Sequence, residues 1–348
     1  MKLPTRVLVV LTTMALVSGC SSTSTVPEAE NPLGSQEGFE NLSIDNLEYP
    51  LTGAAAFASV NQKLLDSPDL SVNVEFVIGP NVSEAEVALE KELVSKAVRI
   101  FSEWYLPESF TVVMFSEKDG EWADQKLDEY GGSYFSTISQ EIENWVSNSG
   151  TCGFALATET KEGAPIYFGC TDSFREREWV NRQTPPHEYF HLVQYQYGEY
   201  PQWLLEGSAA FFGAAVGYYD ISPDGLRSKE FFRGTSGNFD PENEGPDYNR
   251  FVNHLRTLTE SDSLKMFGDL ETFDWQNGDR LSHYALGGLA TEVLVGVWGI
   301  DKYMEMVVGT KEDSWTSSFQ STYGLTPDEF YAKLVPYLKA AGEEMDLW

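Results

Sequence analysis

Thr184-Pro185-Pro186-His187-Glu188-Tyr189-Phe190-His191-Leu192-Val193-Gln194, followed by Trp203-Leu204-Leu205-Glu206-Gly207-Ser208-Ala209-Ala210, is the stretch on which the reading of this chain turns. His187 and His191 are four residues apart, so a helix would place both imidazoles on one face, one turn apart. Two nitrogens so placed can reach one ion about 2 Å from each. Glu188 lies about 100° round such a helix from His187, out of easy reach of that ion. It can still take a proton from a water held on the open side. The chain contains only 4 histidines, so the H-E-x-x-H match is unlikely as an accident of composition. Glu206 is a lone carboxylate in a mostly apolar segment, where a charge is costly unless paired or bound to metal. Presented from a second helix, it would complete a His2Glu set for one Zn2+ per chain and leave a fourth position for water. Pro185 and Pro186, with Thr184 as N-cap, either start a new helix near His187 or kink a longer one.

The pair H-E-Y-F-H-L-V-Q and W-L-L-E-G-S-A resembles the gluzincins, zinc peptidases whose third ligand is a Glu, and within them the peptidase MA-like group. The 14 residues between His191 and Glu206 (192–205) suit the shorter members of that group. The likeness covers about residues 70–340. It implies an α+β, zincin-like fold with an N-terminal mixed α/β lobe (46–173), a C-terminal mainly helical lobe (174–348) and the active-site cleft between them. It also implies a hydrolase, a zinc-dependent metallopeptidase acting on a peptide or protein. In that enzyme His187, His191 and Glu206 hold the metal and Glu188 is the general base.

A weaker third motif is Leu281-Ser282-His283-Tyr284-Ala285-Leu286-Gly287-Gly288. Tyr284 matches the gluzincin tyrosine that donates to the developing oxyanion, the type of donor acyl transfer needs beside a metal. His283 is the alternative donor, or serves to orient substrate. On the plainer reading Tyr284 is a core aromatic and His283 a helix-start residue. The chain lacks the G-x-M-E-N motif of aminopeptidases, which favours an endopeptidase. Ala210 stands where thermolysin-like enzymes carry an Asp that orients the first His, so support for His187 must come from elsewhere. The rival function is a non-catalytic, zinc-containing surface lipoprotein that binds a polymer or partner protein, or one that scavenges metal. Glu188 argues against the first, because binding needs the ligands but not the base, and the embedded Glu206 favours a fixed site over the exchangeable binding that scavenging needs.

Outward from the motif, the first half alternates element types. Ser71–Ile78 and Phe110–Phe115 read as strands, as do Cys152–Thr158 and Ala164–Cys170. Pro165–Phe168 is expected to be an edge strand that pairs with an extended peptide. Helices are expected over 83–104, with Ser83 and Glu86 forming a capping box, and over 122–130. From 173 onward the pattern is helical: 173–196, 201–215, 281–298, and a last helix from Thr326 to about 341 opened by Pro327 and Glu329. Residues 234–249 read as a Gly/Pro/Asp/Asn loop. Its acidic part, Asp240–Asp247, suits a solvated loop better than a Ca2+ site, since it lacks EF-hand spacing. His254 reads as an ordinary surface or core residue. Tyr195, Tyr197, Tyr200 and Trp203 line the cleft rim or pack the core.

The N-terminus suggests where the protein works. Lys2 and Arg6 precede an apolar run, Val7–Val17, of signal-peptide length and too short to span a membrane comfortably. Val17-Ser18-Gly19-Cys20 then resembles the bacterial lipobox. This implies a signal peptide over 1–20, lipidation of Cys20, a lipid anchor in a bacterial membrane and an extracytoplasmic location. Ser21 after the cysteine favours the outer membrane or cell surface. Residues 21–45 have no hydrophobic period and read as a flexible tether. Outside the cell Cys152 and Cys170 can form a disulfide; otherwise they are two buried thiols. The net charge of −31 argues against nucleic acid as a partner. With 42% hydrophobic residues, the roughly 300 left after the leader and tether can form one large domain or two tightly packed halves.

Overall fold

The computed structural model describes residues 38–70, 72–130, 137–149, 152, 154–171, 178–217, 246–272 and 280–345. The expected signal peptide and Cys20 fall outside them. Four strands form one mixed sheet. Strand β2 (Ser109–Phe115) is a nearly continuous apolar run buried from Val112 to Phe115, as suits a strand covered on both faces. It pairs in parallel with β1 (Asn73–Ile78), Asn73 opposite Ser109, and in parallel with β4 (Pro165–Cys170), Thr111 opposite Ile166. Strand β3 (Ala155–Glu159) closes the sheet antiparallel to β4, with Ala157 opposite Tyr167, giving the order β1-β2-β4-β3.

This order corrects the expected edge. Pro165–Phe168 lies in β4, an interior strand, and the edge strands are β1 and, next to β4, β3. The reason is burial: five of the six β4 residues are buried, whereas β3 is mostly half-exposed. The disulfide forms between Cys152 and Cys170, with Cα atoms 5.8 Å apart, and ties the chain entering β3 to the end of β4.

Side-chain alternation gives the sheet two faces. Val113, Phe115, Ile166 and Phe168 pack with α3 (Gly120–Tyr130) and α4 (Ile138–Ser149). Phe110, Val112, Met114 and Tyr167 face the main core, which contains α2 (Glu84–Phe101) and α5 (Glu178–Gln194). Ser83 caps α2 with both bonds of the capping box formed. Helix α5 runs unbroken through Pro185 and Pro186, so His187 sits well inside a helix and not at its start.

Helix α1 (Leu51–Asp66) precedes the sheet but packs on the far side of the core, where the Ile300 N–H donates to Ser59 Oγ at 2.9 Å. After α6 (Gln202–Gly217) come α7 (Pro246–Thr257), α8 (Glu260–Glu271) and α9 (Arg280–Gly309). Helix α7 begins inside the stretch expected to be a loop; residues 234–245 of that stretch are outside the described set. Helix α9 is broken at Gly299, whose φ of 84° no helix accommodates. Helices α10 (Trp315–Tyr323), α11 (Pro327–Lys333) and α12 (Val335–Met345) complete the chain. The expected single last helix is two because Pro336 has no N–H and its ring crowds the carbonyl four residues earlier.

The protein is thus α+β, mostly helical, with a small mixed sheet. Its main core runs across the helices behind the sheet. Phe101 packs on Phe190 (ring centres 4.9 Å apart), Phe190 on Phe212 (4.7 Å) and Phe212 on Tyr303 (5.3 Å), joining α2, α5, α6 and α9. Leu42 and Ile44, within the stretch read as tether, are buried. No helix among the described residues is long and apolar enough to cross a membrane.

Candidate metal centre

Helices α5 and α6 meet closely, and that contact builds the site. Gly213 and Gly217 lie against α5: a Cβ on Gly217 would come within 2.3 Å of the Arg182 carbonyl, and one on Gly213 within 3.0 Å of His187 Cβ. Only residues without a side chain allow that approach. Glu206 on α6 is thereby brought to His187 and His191 on α5. The Nε2 atoms of the two histidines are 3.0 Å apart, and Glu206 Oε2 lies 3.5 Å from the first and 3.4 Å from the second. Four tetrahedral ligands about 2.0–2.1 Å from a zinc ion are separated by about 3.3–3.4 Å. The three donor atoms are therefore close to three corners of such a tetrahedron. Among the described residues this is the one His/Cys/Asp/Glu group with metal-binding geometry.

Electrostatics favour a cation at the centre of the three. All three residues are buried. Burial alone would raise the Glu206 carboxyl, but the imidazoles, His191 foremost, hold it well below its usual range. Burial likewise opposes charge on His191, yet Glu206 outweighs it and raises the imidazole. A divalent ion bound between them would displace any proton these groups share. Glu206 Oε1 accepts from Gln202 Nε2 at 3.3 Å. His191 Nδ1 is 2.9 Å from Gln194 Oε1, whereas His187 Nδ1 is buried with no hydrogen-bond partner among the described residues. The support that His187 was expected to find elsewhere is not supplied by a described side chain.

Glu188 stands outside the ligand set, its Oε1 4.0 Å from His187 Nε2. Its carboxyl is raised chiefly by burial, with the two histidines and a hydrogen bond from the Ala157 backbone pulling the other way. The Cys170 N–H donates to Phe154 O, so the even-numbered residues of β3 turn their main-chain groups toward β4 and Ala157 turns outward. That outer edge of β3, unpaired with any strand among the described residues, therefore passes beside Glu188.

Tyr284, at the start of α9, lies near-parallel to His187 with ring centres 6.1 Å apart, and His283 is fully buried with its ring 5.0 Å from Tyr284. Tyr195 stacks on His191 at 6.0 Å and is 49% exposed. Of the other aromatics named from sequence, Trp203 is core and donates to Tyr331 Oη at 3.1 Å, Tyr200 donates to Val307 O at 3.2 Å, and Tyr197 bonds Trp104 O. His254 contacts Met266 Sδ and takes no part in the cluster. The acidic run lies mostly outside the described residues.

Three participants escaped the sequence reading. Gln194 sits three residues after His191, on the metal-facing side of the helix, a signal that was present. Glu90 breaks the apolar stripe Glu90-Val94-Ala97-Phe101 of α2, and its buried carboxyl is pushed up to about 8 by burial and then by Glu188. The main chain of Ala157 left no trace in the sequence. Comparison of the chain with family models, with curated proteins and with solved structures found no match to any of them.

Proposed function

We propose that this chain is a zinc-dependent peptidase of the gluzincin type, acting as an endopeptidase outside the cytoplasm and held to a bacterial membrane by a lipid on Cys20. The observation that carries the proposal is the near-tetrahedral set His187, His191 and Glu206 with a fourth carboxylate, Glu188, beside the ligands but not among them. A site meant only to store metal has no use for that fourth group. The single antiparallel edge strand beside Glu188, with α2 and α5 on one face of the sheet, also suits the zincin-like arrangement.

Zinc bound there supplies Lewis acidity, which polarises a carbonyl and acidifies water. The chain's own residues do the rest. The free main-chain edge of β3 aligns an extended peptide by strand addition. Glu188 takes the proton from the attacking water and passes it to the leaving amine, and its carboxyl, raised by burial, favours holding that proton between the two steps. Tyr284, half-buried beside His187, directs its phenol to the carbonyl oxygen as negative charge develops. We assign that role to Tyr284 and not to the fully buried His283.

The test uses residues 21–348, a soluble form without Cys20. Wild type is expected to hold one zinc per chain and to cleave members of a peptide library. His191→Ala and Glu206→Ala lose the metal. Glu188→Gln keeps it while cleavage falls by at least about 10²–10⁴-fold, the usual worth of a general base. A metal-loaded wild type that cleaves nothing would favour the binding lipoprotein, and a folded wild type without zinc would refute the metal site itself.

A further inference from the structure

We infer that Gln194 is a positioning residue that fixes His191 and the Glu206 turn of α6 together, before any metal arrives. This rests on the reading that His187, His191 and Glu206 hold a divalent ion. Gln194 is completely buried, one turn beyond His191 on α5. Its Nε2 lies 3.1 Å from Leu205 O and 3.0 Å from Ser208 Oγ, with Leu204 O at 3.5 Å. Backbone carbonyls only accept, and Ser208 Oγ donates its own proton to Leu204 O. The Gln194 amide group can therefore sit only one way round, with Nε2 toward α6 and Oε1 toward His191.

That orientation determines the next bond. Gln194 Oε1 is an acceptor, so His191 Nδ1, 2.9 Å away, must carry a hydrogen. In the neutral ring this leaves the Nε2 lone pair free, and Nε2 is the atom beside Glu206. The other end of the same amide grips Leu205, the residue immediately before Glu206. One side chain thus selects the tautomer of one ligand and places the backbone of another. His187 has no such support among the described residues, so His191 and Glu206 form the preset part of the centre.

An amide is required for both tasks. Leucine fills the space but offers neither bond. An ionised glutamate could accept from His191 but would set its second oxygen against the carbonyls of Leu204 and Leu205. The test measures zinc affinity against a competing chromophoric chelator, at temperatures where circular dichroism shows each metal-free variant folded. Cobalt-substituted protein adds an absorption band that reports ligand geometry. Gln194→Leu and Gln194→Glu should both bind zinc about 10–100-fold more weakly than wild type, the scale for partners of metal-bound histidines. Their cobalt spectra should shift.

Ser208→Ala removes a single anchor and should weaken zinc binding by a few-fold. It decides the matter if the Gln194 variants do not fold. Lower melting with wild-type zinc affinity and cobalt spectrum would show that Gln194 merely packs, and would overturn the inference. Loss of zinc from wild type would instead overturn the metal site on which it stands.

Discussion

Glu206 and Glu90 are both buried among apolar residues, and their neighbours separate their roles. Glu206 is flanked by two imidazoles and stays ionised. It was legible in the sequence because a single charge interrupts Trp203-Leu204-Leu205 and Ser208-Ala209-Ala210. Glu90 has no such partner among the described residues, and its carboxyl is pushed up to about 8. The sign of its effect on stability follows. Its folded-state value exceeds the unfolded one, about 4.3, so its stabilising contribution is full below that value and is lost as pH rises toward 8. One proton is at stake, giving a slope of at most about 1.4 kcal/mol per pH unit in that window. Urea unfolding of the metal-free protein at pH 5, 6.5 and 8 should show wild type losing stability relative to Glu90→Gln at each step. A constant difference between the two would mean that Glu90 does not titrate there. Gln194 was harder to read, because a residue that acts through another leaves no charge pattern of its own.

At the scale of elements, the site depends on how closely helices cross. Glu206 is followed by Gly207, and Tyr284 precedes Gly287 by three residues; these glycines are where α6 and α9 touch. A Cβ on Gly287 would come within 2.0 Å of Trp203 O, and one on Gly207 within 2.3 Å of the Gly287 carbonyl carbon. Gly287→Ala is therefore expected to cost about 1–3 kcal/mol or more in chemical unfolding, as overpacking does. It should also weaken zinc binding, because the displaced helix carries Glu206. Gly268, in the middle of α8, has nothing within 4 Å of its added Cβ. Gly268→Ala should raise stability by about 0.5–1 kcal/mol through helix propensity, with zinc affinity unchanged. Equal costs at the two positions would deny that the α6–α9 crossing is close-packed. The glycines of the two motifs were visible in the sequence, but the pairing between them was not, since it joins segments 80 residues apart. The edge strand was misjudged for a related reason. Alternation within Pro165–Phe168 shows a strand, but which strands flank it is decided by burial on both faces.

For the whole molecule, the order of the strands and of the longer helices was readable from periodicity, but α1, α4, α7, α8 and α10 were not, and α7 begins in a stretch that reads as a loop. What periodicity did not show is that the chain closes around a main core, with α1 and α9 packed on one another although they are far apart in sequence. A metal held by the candidate centre would be a second link across that body, since its histidines lie on the helix beside the sheet and Glu206 on the next helix. Zinc that binds only the folded form stabilises it by mass action, about 4 kcal/mol at a thousand times the dissociation constant. For a chain of this size that is a melting-temperature rise of roughly 5–10 °C. The net charge of −31 adds a competing effect. Any cation relieves self-repulsion in so acidic a protein, and a divalent ion does so more strongly. The melting curves therefore belong in about 0.5 M NaCl, where diffuse repulsion is largely screened but a buried site is not. Under those conditions zinc should raise the melting temperature of the chelator-treated wild type, magnesium should not, and His191→Ala should respond to neither. An equal rise with magnesium, or in His191→Ala, would mean that the ion neutralises the surface and that the three buried ligands contribute nothing.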